Sequence, residues 1–234
     1  MALAARTGAW SKSGSGVELV DYIQSDGSAW IDTGFKVTDM ATSVNIVMSA
    51  KNTPFSWNHF FWGAGNANTA YYGPSFSMPG PDNLGNVIVS FIVGNARMNQ
   101  KNYDAANLLF DGDFHEVVAS SGGYRISFGQ SNISVDGVNV ISKFASRDGT
   151  DLLPDETIAI FGRHNGSGCD FKMPTQRDFK FRSIEFIVGN EIQARFHAAK
   201  LGDAYGIVNQ ITGGFISGID GTITGGKVGR KWNR

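Results

Sequence analysis

Tyr22-Ile23-Gln24-Ser25-Asp26-Gly27-Ser28-Ala29-Trp30-Ile31-Asp32-Thr33-Gly34 is the stretch on which the reading of this chain turns. Asp26-Gly27 is a turn dipeptide suited to positive φ, set between two short segments of strand character, Glu18–Ile23 and Ala29–Asp32. Within Trp30–Gly34 alternate side chains face the core, as a strand requires. Asp32 and Thr33 can bond nearby backbone where that strand ends.

The same pattern repeats outward along the chain. Asp-Gly recurs at 111–112, 136–137, 148–149 and 220–221. Between such turns the spacing predicts strands at Ser43–Ala50, His59–Trp62, Tyr71–Ser77, Val87–Val93, His115–Ser120, Tyr124–Phe128, Ser131–Val135 and Val138–Ser142. Thr157–Gly162, Phe179–Val188, Glu191–His197 and Gly214–Ile216 complete the set. Ser43–Ala50 alternates most clearly, with Val44, Ile46 and Met48 between polar neighbours. Only Asp104–Leu109 and Ala198–Tyr205 have the character of helical turns. No second domain and no internal repeat is visible. The expectation is an all-β protein, a two-sheet antiparallel β-sandwich or jelly roll. Its bounds are 17–224, between a flexible arm (1–16, ending Ser11-Lys12-Ser13-Gly14-Ser15-Gly16) and a basic tail (225–234).

Composition agrees. The chain has 234 residues, long enough for one large all-β domain to bury roughly 70% of its unfolded surface. Its 30 glycines follow no three-residue period, which excludes collagen, and 41% hydrophobic content with a net charge of −1 excludes wholesale disorder. No apolar run approaches the ~20 residues of a membrane-spanning helix. The near-neutral charge gives no global field for nucleic acid or an acidic membrane, so neither is expected as a partner. Seventeen Phe, 5 Trp and 6 Tyr favour strands. Cys169, the single cysteine, rules out an intrachain disulfide and lies in Gly166-Ser167-Gly168-Cys169-Asp170, which has no catalytic-cysteine signature. The opening, Met1 to Trp10, lacks a basic segment followed by an apolar core, so no secretory signal is expected there.

Tyr22–Gly34 resembles the opening motif of a concanavalin A-like, laminin-G-like jelly-roll family frequent in phages and in bacteria of animal-associated communities. Later landmarks of that family follow in order. Phe114-His115-Glu116-Val117-Val118 is similar to one of its strands, Ser134-Val135-Asp136-Gly137 to a hairpin, and Ile158–Gly166 to a strand and loop. Phe181–Phe186 with Glu191–Ala199 is similar to the final long hairpin, and Gly206–Phe215 to the closing segment. The resemblance covers about residues 17–216. Asn209 stands where the family often has Asp, Trp30 is not preceded by Gln, and Ser77–Asn86 is an elaborated loop. The resemblance implies a concanavalin A-like jelly roll and leaves the ligand open.

Little in the chain has a catalytic pattern. A retaining glucanase on such a sandwich resembles a strand carrying E-x-D-x-x-E, and Glu18, Glu116, Glu156, Glu185 and Glu191 show no pair at that spacing. Glu185 and Glu191 fall on separate arms of an expected hairpin. His59, His115, His164 and His197 show no metalloprotease spacing, and no nucleophile elbow or phosphate loop occurs. No cofactor is expected. Calcium is the one candidate, through Asp111-Gly112-Asp113 or Asp148–Asp151, though neither matches an EF-hand.

The segment from Phe55 to Tyr72 combines flat aromatics with Asn and His, the mixture that suits the apolar faces and hydroxyl edges of sugars. Trp57, Asn58, His59, Asn66, Tyr71 and Tyr72 are therefore candidate glycan-binding residues, with Arg163, His164 and Asn165 as further donors from a neighbouring strand end. The alternative is that its aromatics fill the core and cover a sheet edge. Taken with the resemblance, the leading expectation is a non-enzymatic phage virion protein: a capsid-decoration, head-fibre or tail-associated subunit that meets other virion proteins through its terminal arms, with a homo-oligomer as a further candidate partner. A bacterial carbohydrate-binding module or cell-surface adhesin is the alternative, and a glycoside hydrolase the third reading. The tail, with Lys227, Arg230, Lys231 and Arg234, suits a frayed, solvated terminus first, and otherwise an acidic protein surface or a nucleic-acid contact.

Overall fold

The computed structural model describes residues 16–39, 42–51, 59–66, 71–78, 88–94, 96–101, 109–120, 130–144, 153, 155–170, 172 and 178–231. In chain order these give β1 (Val17–Val20), β2 (Ile23–Ser25), β3 (Ile31–Asp32), β4 (Thr42–Ser49), β5 (His59–Asn66), β6 (Tyr71–Met78) and β7 (Ile88–Gly94). There follow β8 (Ala96–Lys101), β9 (His115–Ser120), β10 (Gln130–Val135), β11 (Val138–Phe144), β12 (Ala159–Ile160), β13 (Arg163–His164) and β14 (Cys169–Asp170). The last six are β15 (Lys180–Val188), β16 (Glu191–Leu201), β17 (Ala204–Asn209), β18 (Phe215–Ser217), β19 (Ile223–Gly225) and β20 (Val228–Lys231).

Among the described residues the strands form two sheets, of twelve and eight strands. The larger runs β11-β10-β9-β4-β15-β16-β1-β20, with β17 and β18 continuing from β16 and with β2 linking β15 to β19. The smaller runs β14-β13-β5-β6-β7-β8, with β12 bridging β3 and β5. Pairing is antiparallel except at β13, where His164 lies opposite Ala64 of β5 in parallel. This is the two-sheet antiparallel β-sandwich that the strand spacing predicts.

Alternation decides which side chains meet between the sheets. In β4 the buried positions are Val44, Ile46 and Met48, and Ile46 lies across from Ile184 on one side and Val117 on the other. All three are buried, so this row of the larger sheet presents a continuous apolar face inward. Trp62 of the smaller sheet meets Phe186 of the larger nearly perpendicular, with centroids 5.6 Å apart. Phe61 packs edge-on to Phe179 at 4.9 Å and stacks with Phe110 at 5.8 Å. A satellite cluster of Val17, Leu19, Ala199, Val208 and Phe215 closes the opposite face where β1, β16, β17 and β18 meet.

The turn chemistry is realised where it lies within the described residues. Gly27 and Gly112 have φ of 90° and 99°, and Asp220 has φ of 61°. Asp136 and Gly137, at 49° and 78°, make the two-residue hairpin that sets Val135 opposite Val138. The 148–149 turn and the Tyr124–Phe128 strand lie outside the described residues, as does Asp104–Leu109 except for Leu109.

Two expectations are corrected. Ala198–Tyr205 is strand, not helical turn: Ala198–Leu201 ends β16, Gly202-Asp203 turns, and Ala204 opens β17. Ala and Lys favour helix locally, but strand partners stand on both edges of Ala199–Leu201, β1 and β17, and satisfy its backbone groups there. Within the basic segment, residues 225–231 are built into the larger sheet rather than standing apart as a tail. Gly225 ends β19 against β2, and Val228–Lys231 is an edge strand on β1, with Glu18 opposite Lys231 and Val20 opposite Val228.

Candidate functional site

One end of the smaller sheet gathers polar side chains from three distant segments. β12 runs antiparallel to β5, with Ala159 opposite Gly63 and Ile160 opposite Trp62, and on its other edge to β3, with Ala159 opposite Asp32. The chain then reverses through Phe161, whose φ of 69° is costly for a bulky residue. That backbone is held from all sides: Phe161 is fully buried, its N–H donates to the Phe61 carbonyl at 2.9 Å, and its ring meets Phe179 edge-on at 5.4 Å. Gly162 permits the reversal, because a Cβ there would stand 2.3 Å from Cys169 Sγ. β13 thus returns beside β5 and brings His164 back to the level of Thr157.

The result is a hydrogen-bonded chain. Thr157 Oγ1 donates to Asp32 Oδ1 at 2.5 Å and lies 3.0 Å from His164 Nδ1. A hydroxyl has one proton, and here it goes to the carboxylate, so Nδ1–H must be the donor toward Thr157. Nε2 of the neutral ring is then an acceptor, and it has no partner among the described residues. The ring rests on Trp30, with centroids 5.5 Å apart. Asn165 Oδ1 accepts from Ser167 N–H (3.2 Å), Ser167 Oγ (3.1 Å) and Gly168 N–H (3.0 Å), which shapes the adjoining turn. Its Nδ2 carries no partner among the described residues.

The floor beneath His164 is rigid. Trp30 N–H donates to the Ile219 carbonyl at 3.1 Å, and Ile219 N–H returns a bond to Trp30 at 2.8 Å. Asp26 accepts from Ser28 N–H, Ser28 Oγ and Ala29 N–H on one oxygen and from Thr222 N–H on the other, all within 2.9 Å. Burial alone would push its carboxyl up, but these hydrogen bonds outweigh burial and hold it well below the usual carboxylate range. Asp32 and Thr33 bond nearby backbone as expected: Asp32 Oδ1 accepts from Gly34 N–H and Thr33 Oγ1 from Phe35 N–H, while Thr33 Oγ1 also donates across to the Ile158 carbonyl.

His164 and Asn165 are thus brought together at an accessible rim, and backbone register places Asn66 and Tyr71 at the same end of the sheet. Asn66 pairs with Tyr71 and Gly65 with Tyr72, beyond the Ala64–His164 pair. His59 begins β5 at the opposite end, roughly 23 Å away at about 3.3 Å per residue, so one ligand of monosaccharide size does not span the set. Trp57 and Asn58 lie outside the described residues.

Arg163 corrects the expectation that it offers a donor to a ligand. It is 2% exposed; Nε and Nη2 donate to the two carboxylate oxygens of Asp170 at 2.9 and 2.7 Å, and the guanidinium lies over the Phe60 ring. Adjacent strand residues face opposite ways, so an outward His164 turns Arg163 inward. Asp32 and Thr157 were not among the candidate ligand residues. Their contact is 125 residues apart in sequence and left no local signal.

Other candidates resolve into structure. Burial pushes the Cys169 thiol up to about 12, which leaves it without thiolate character. Asp111 Oδ1 accepts from Asp113 N–H and faces His115 Nε2, so the Asp111-Gly112-Asp113 turn is occupied by its own contacts and does not fit a calcium ion. Among the described residues no group of three or more His, Cys, Asp or Glu converges on a metal position. Asp148–Asp151 lies outside them. Glu185 and Glu191 do fall on separate arms of the β15–β16 hairpin, and Glu185 Oε1 is 2.6 Å from Arg195 Nε.

No protein-family model matches this chain, and no curated protein matches its sequence. Solved structures do match. A Bacteroides ovatus ATCC 8483 protein described as a "putative carbohydrate binding protein" superposes with a TM-score of 0.56 at 11% identity, over 90% of this chain and 61% of that one. Domains LG4-5 of the mouse laminin alpha1 chain give 0.45 at 14% identity, over 82% of this chain and 46% of that one. The chain therefore spans less than two thirds of either matched chain. At these identities the first likeness speaks to fold alone. With the two sheets described above, it shows that the domain shares the two-sheet antiparallel β-sandwich fold of that protein.

Proposed function

We propose that this chain is a non-enzymatic carbohydrate-binding module whose ligand is held at the His164 corner. The observation that carries the reading is the Asp32–Thr157–His164 chain, which fixes an outward imidazole beside the Asn165 turn. A sugar presents hydroxyls that both donate and accept. His164 Nε2 supplies an acceptor and Asn165 Nδ2 supplies donors, both oriented before binding, so little side-chain entropy is lost when a ligand arrives. The fold shared with a protein described as carbohydrate-binding supports the reading. Asp32 Oδ1 is spent on Thr157 and the Gly34 amide, which suits orientation rather than acid–base catalysis. On the sequence resemblance, we place the module on a phage particle; detection of the chain in host cell-surface fractions and not in purified particles would overturn that placement.

The test is a glycan array probed with the full chain, followed by titration of the best hit. His164→Ala and Asn165→Asp, which removes Nδ2 but keeps the oxygen that shapes the turn, are expected to weaken binding roughly tenfold each, about 1.4 kcal/mol, while the thermal midpoint holds. A blank array for the wild type, or a hit whose affinity is indifferent to both substitutions, would sink the proposal.

A further inference from the structure

The outer face of the larger sheet carries a hollow of about 260 Å³, lined by Leu19, Val20, Asp21, Arg182, His197 and Gly229. It lies on a different sheet from the His164 corner. Alternation explains the lining: Phe181 and Phe196 point into the core, so their neighbours Arg182 and His197 point out. Arg182 is displayed by a bulge, because the β15–β4 register shifts between Phe181 and Ser183.

The guanidinium is held on two sides. Nε donates to the Asp21 carbonyl at 2.9 Å, and the carbon of the guanidinium stands 4.0 Å from the centroid of the Phe114 ring. Phe114 is itself braced by Tyr22, 6.1 Å away. An arginine fixed through Nε and by stacking keeps its Nη donors in one plane, the geometry that matches a carboxylate. On the neighbouring wall, His197 Nδ1–H donates to the Ala198 carbonyl at 2.8 Å, which fixes that ring. At the mouth stands the exposed Asp21, whose carboxylate accepts hydroxyl protons but repels a second anion. Gly229 keeps the opening clear: a Cβ there would meet nothing closer than Asp21 Oδ1, at 3.8 Å.

We infer that this hollow is a second ligand site, selective for a hydroxylated carboxylic acid of monosaccharide size, such as a uronic acid. The carboxylate pairs with Arg182, and the ring hydroxyls turn toward Asp21, with the His197 ring as a wall. An anion without hydroxyls gains only the arginine and meets the Asp21 charge.

The experiment uses the full chain and NMR titration with glucuronate, with glucose and inorganic phosphate as comparisons. Glucuronate is expected to shift the Arg182 Nε–H and the amides of Leu19–Asp21 and Gly229, with an affinity at least about tenfold above that for glucose or phosphate. Arg182→Gln should lose that advantage. Gly229→Leu should block entry while leaving the Arg182–Asp21 bond in place, and its thermal midpoint shows whether the fold is retained. His164→Ala should leave glucuronate binding intact, which separates this site from the His164 corner. Equal binding of phosphate, no binding of glucuronate, or binding that survives Gly229→Leu in a folded protein would each overturn the inference.

Discussion

His115 sits between two carboxylates, with Nδ1 2.7 Å from Asp136 Oδ2 and Nε2 2.9 Å from Asp111 Oδ1. Both ring nitrogens facing acceptors favour the imidazolium. Burial alone would lower its pKa, but the hydrogen bonds and charges of Asp111 and Asp136 outweigh burial and raise it above 6.5. The bond from His115 in turn holds both aspartates below 3.8. A raised histidine contributes stability that is complete below its unfolded value and is lost as pH climbs through the folded one. The depressed aspartates contribute above their unfolded value and lose that contribution in acid. The full effect therefore falls between pH 3.8 and 6.5. Urea melts across pH should show wild type most favoured over His115→Gln inside that window, with the gap closing as pH rises above it. A gap independent of pH would mean that the ring acts by packing alone.

β20 shows how an element reassigns a segment that looks like a tail. Its Arg and Lys suit solvent, and Val228 is half exposed, yet its backbone pairs with β1. β1 carries Val17 and Leu19, both buried, and without β20 it becomes the edge of the larger sheet. Truncation after Gly226 should lower the thermal midpoint by roughly 3–8 °C, the equivalent of about 1–2 kcal/mol for a domain of this size. An unchanged midpoint would make β20 an ornament of the edge. β13 makes the converse point. Its two residues divide between interior and rim, Arg163 to Asp170 and His164 to Thr157, so a motif read as one donor loop is half core.

Across the molecule the two sheets are joined by aromatic contacts, among them those of Phe186, 5.6 Å from Trp62 and 4.9 Å from Phe35. Phe186→Ala should cost about 3–5 kcal/mol in chemical denaturation, against less than about 1.5 for a repacked Phe186→Leu. A loss below about 1 kcal/mol for alanine would show that the sheets are held elsewhere. The sandwich itself was legible in the chain, because alternation and Asp-Gly turns are local: Val44-Asn45-Ile46-Val47-Met48 needs only its own period to face a core, and Asp136-Gly137 needs only its own φ. Asp32 accepting from the Gly34 amide and Thr33 from the Phe35 amide at a strand end were legible for the same reason. Pairings across the chain were not. That Glu18 would lie opposite Lys231, that Thr157 would reach Asp32, or that Arg182 would rest on Phe114 depends on which strands become neighbours, and the energy of those contacts exists only once the sheets have closed. Local physics wrote the strands; the sharing of one buried space decided which polar side chains were left together at its rim.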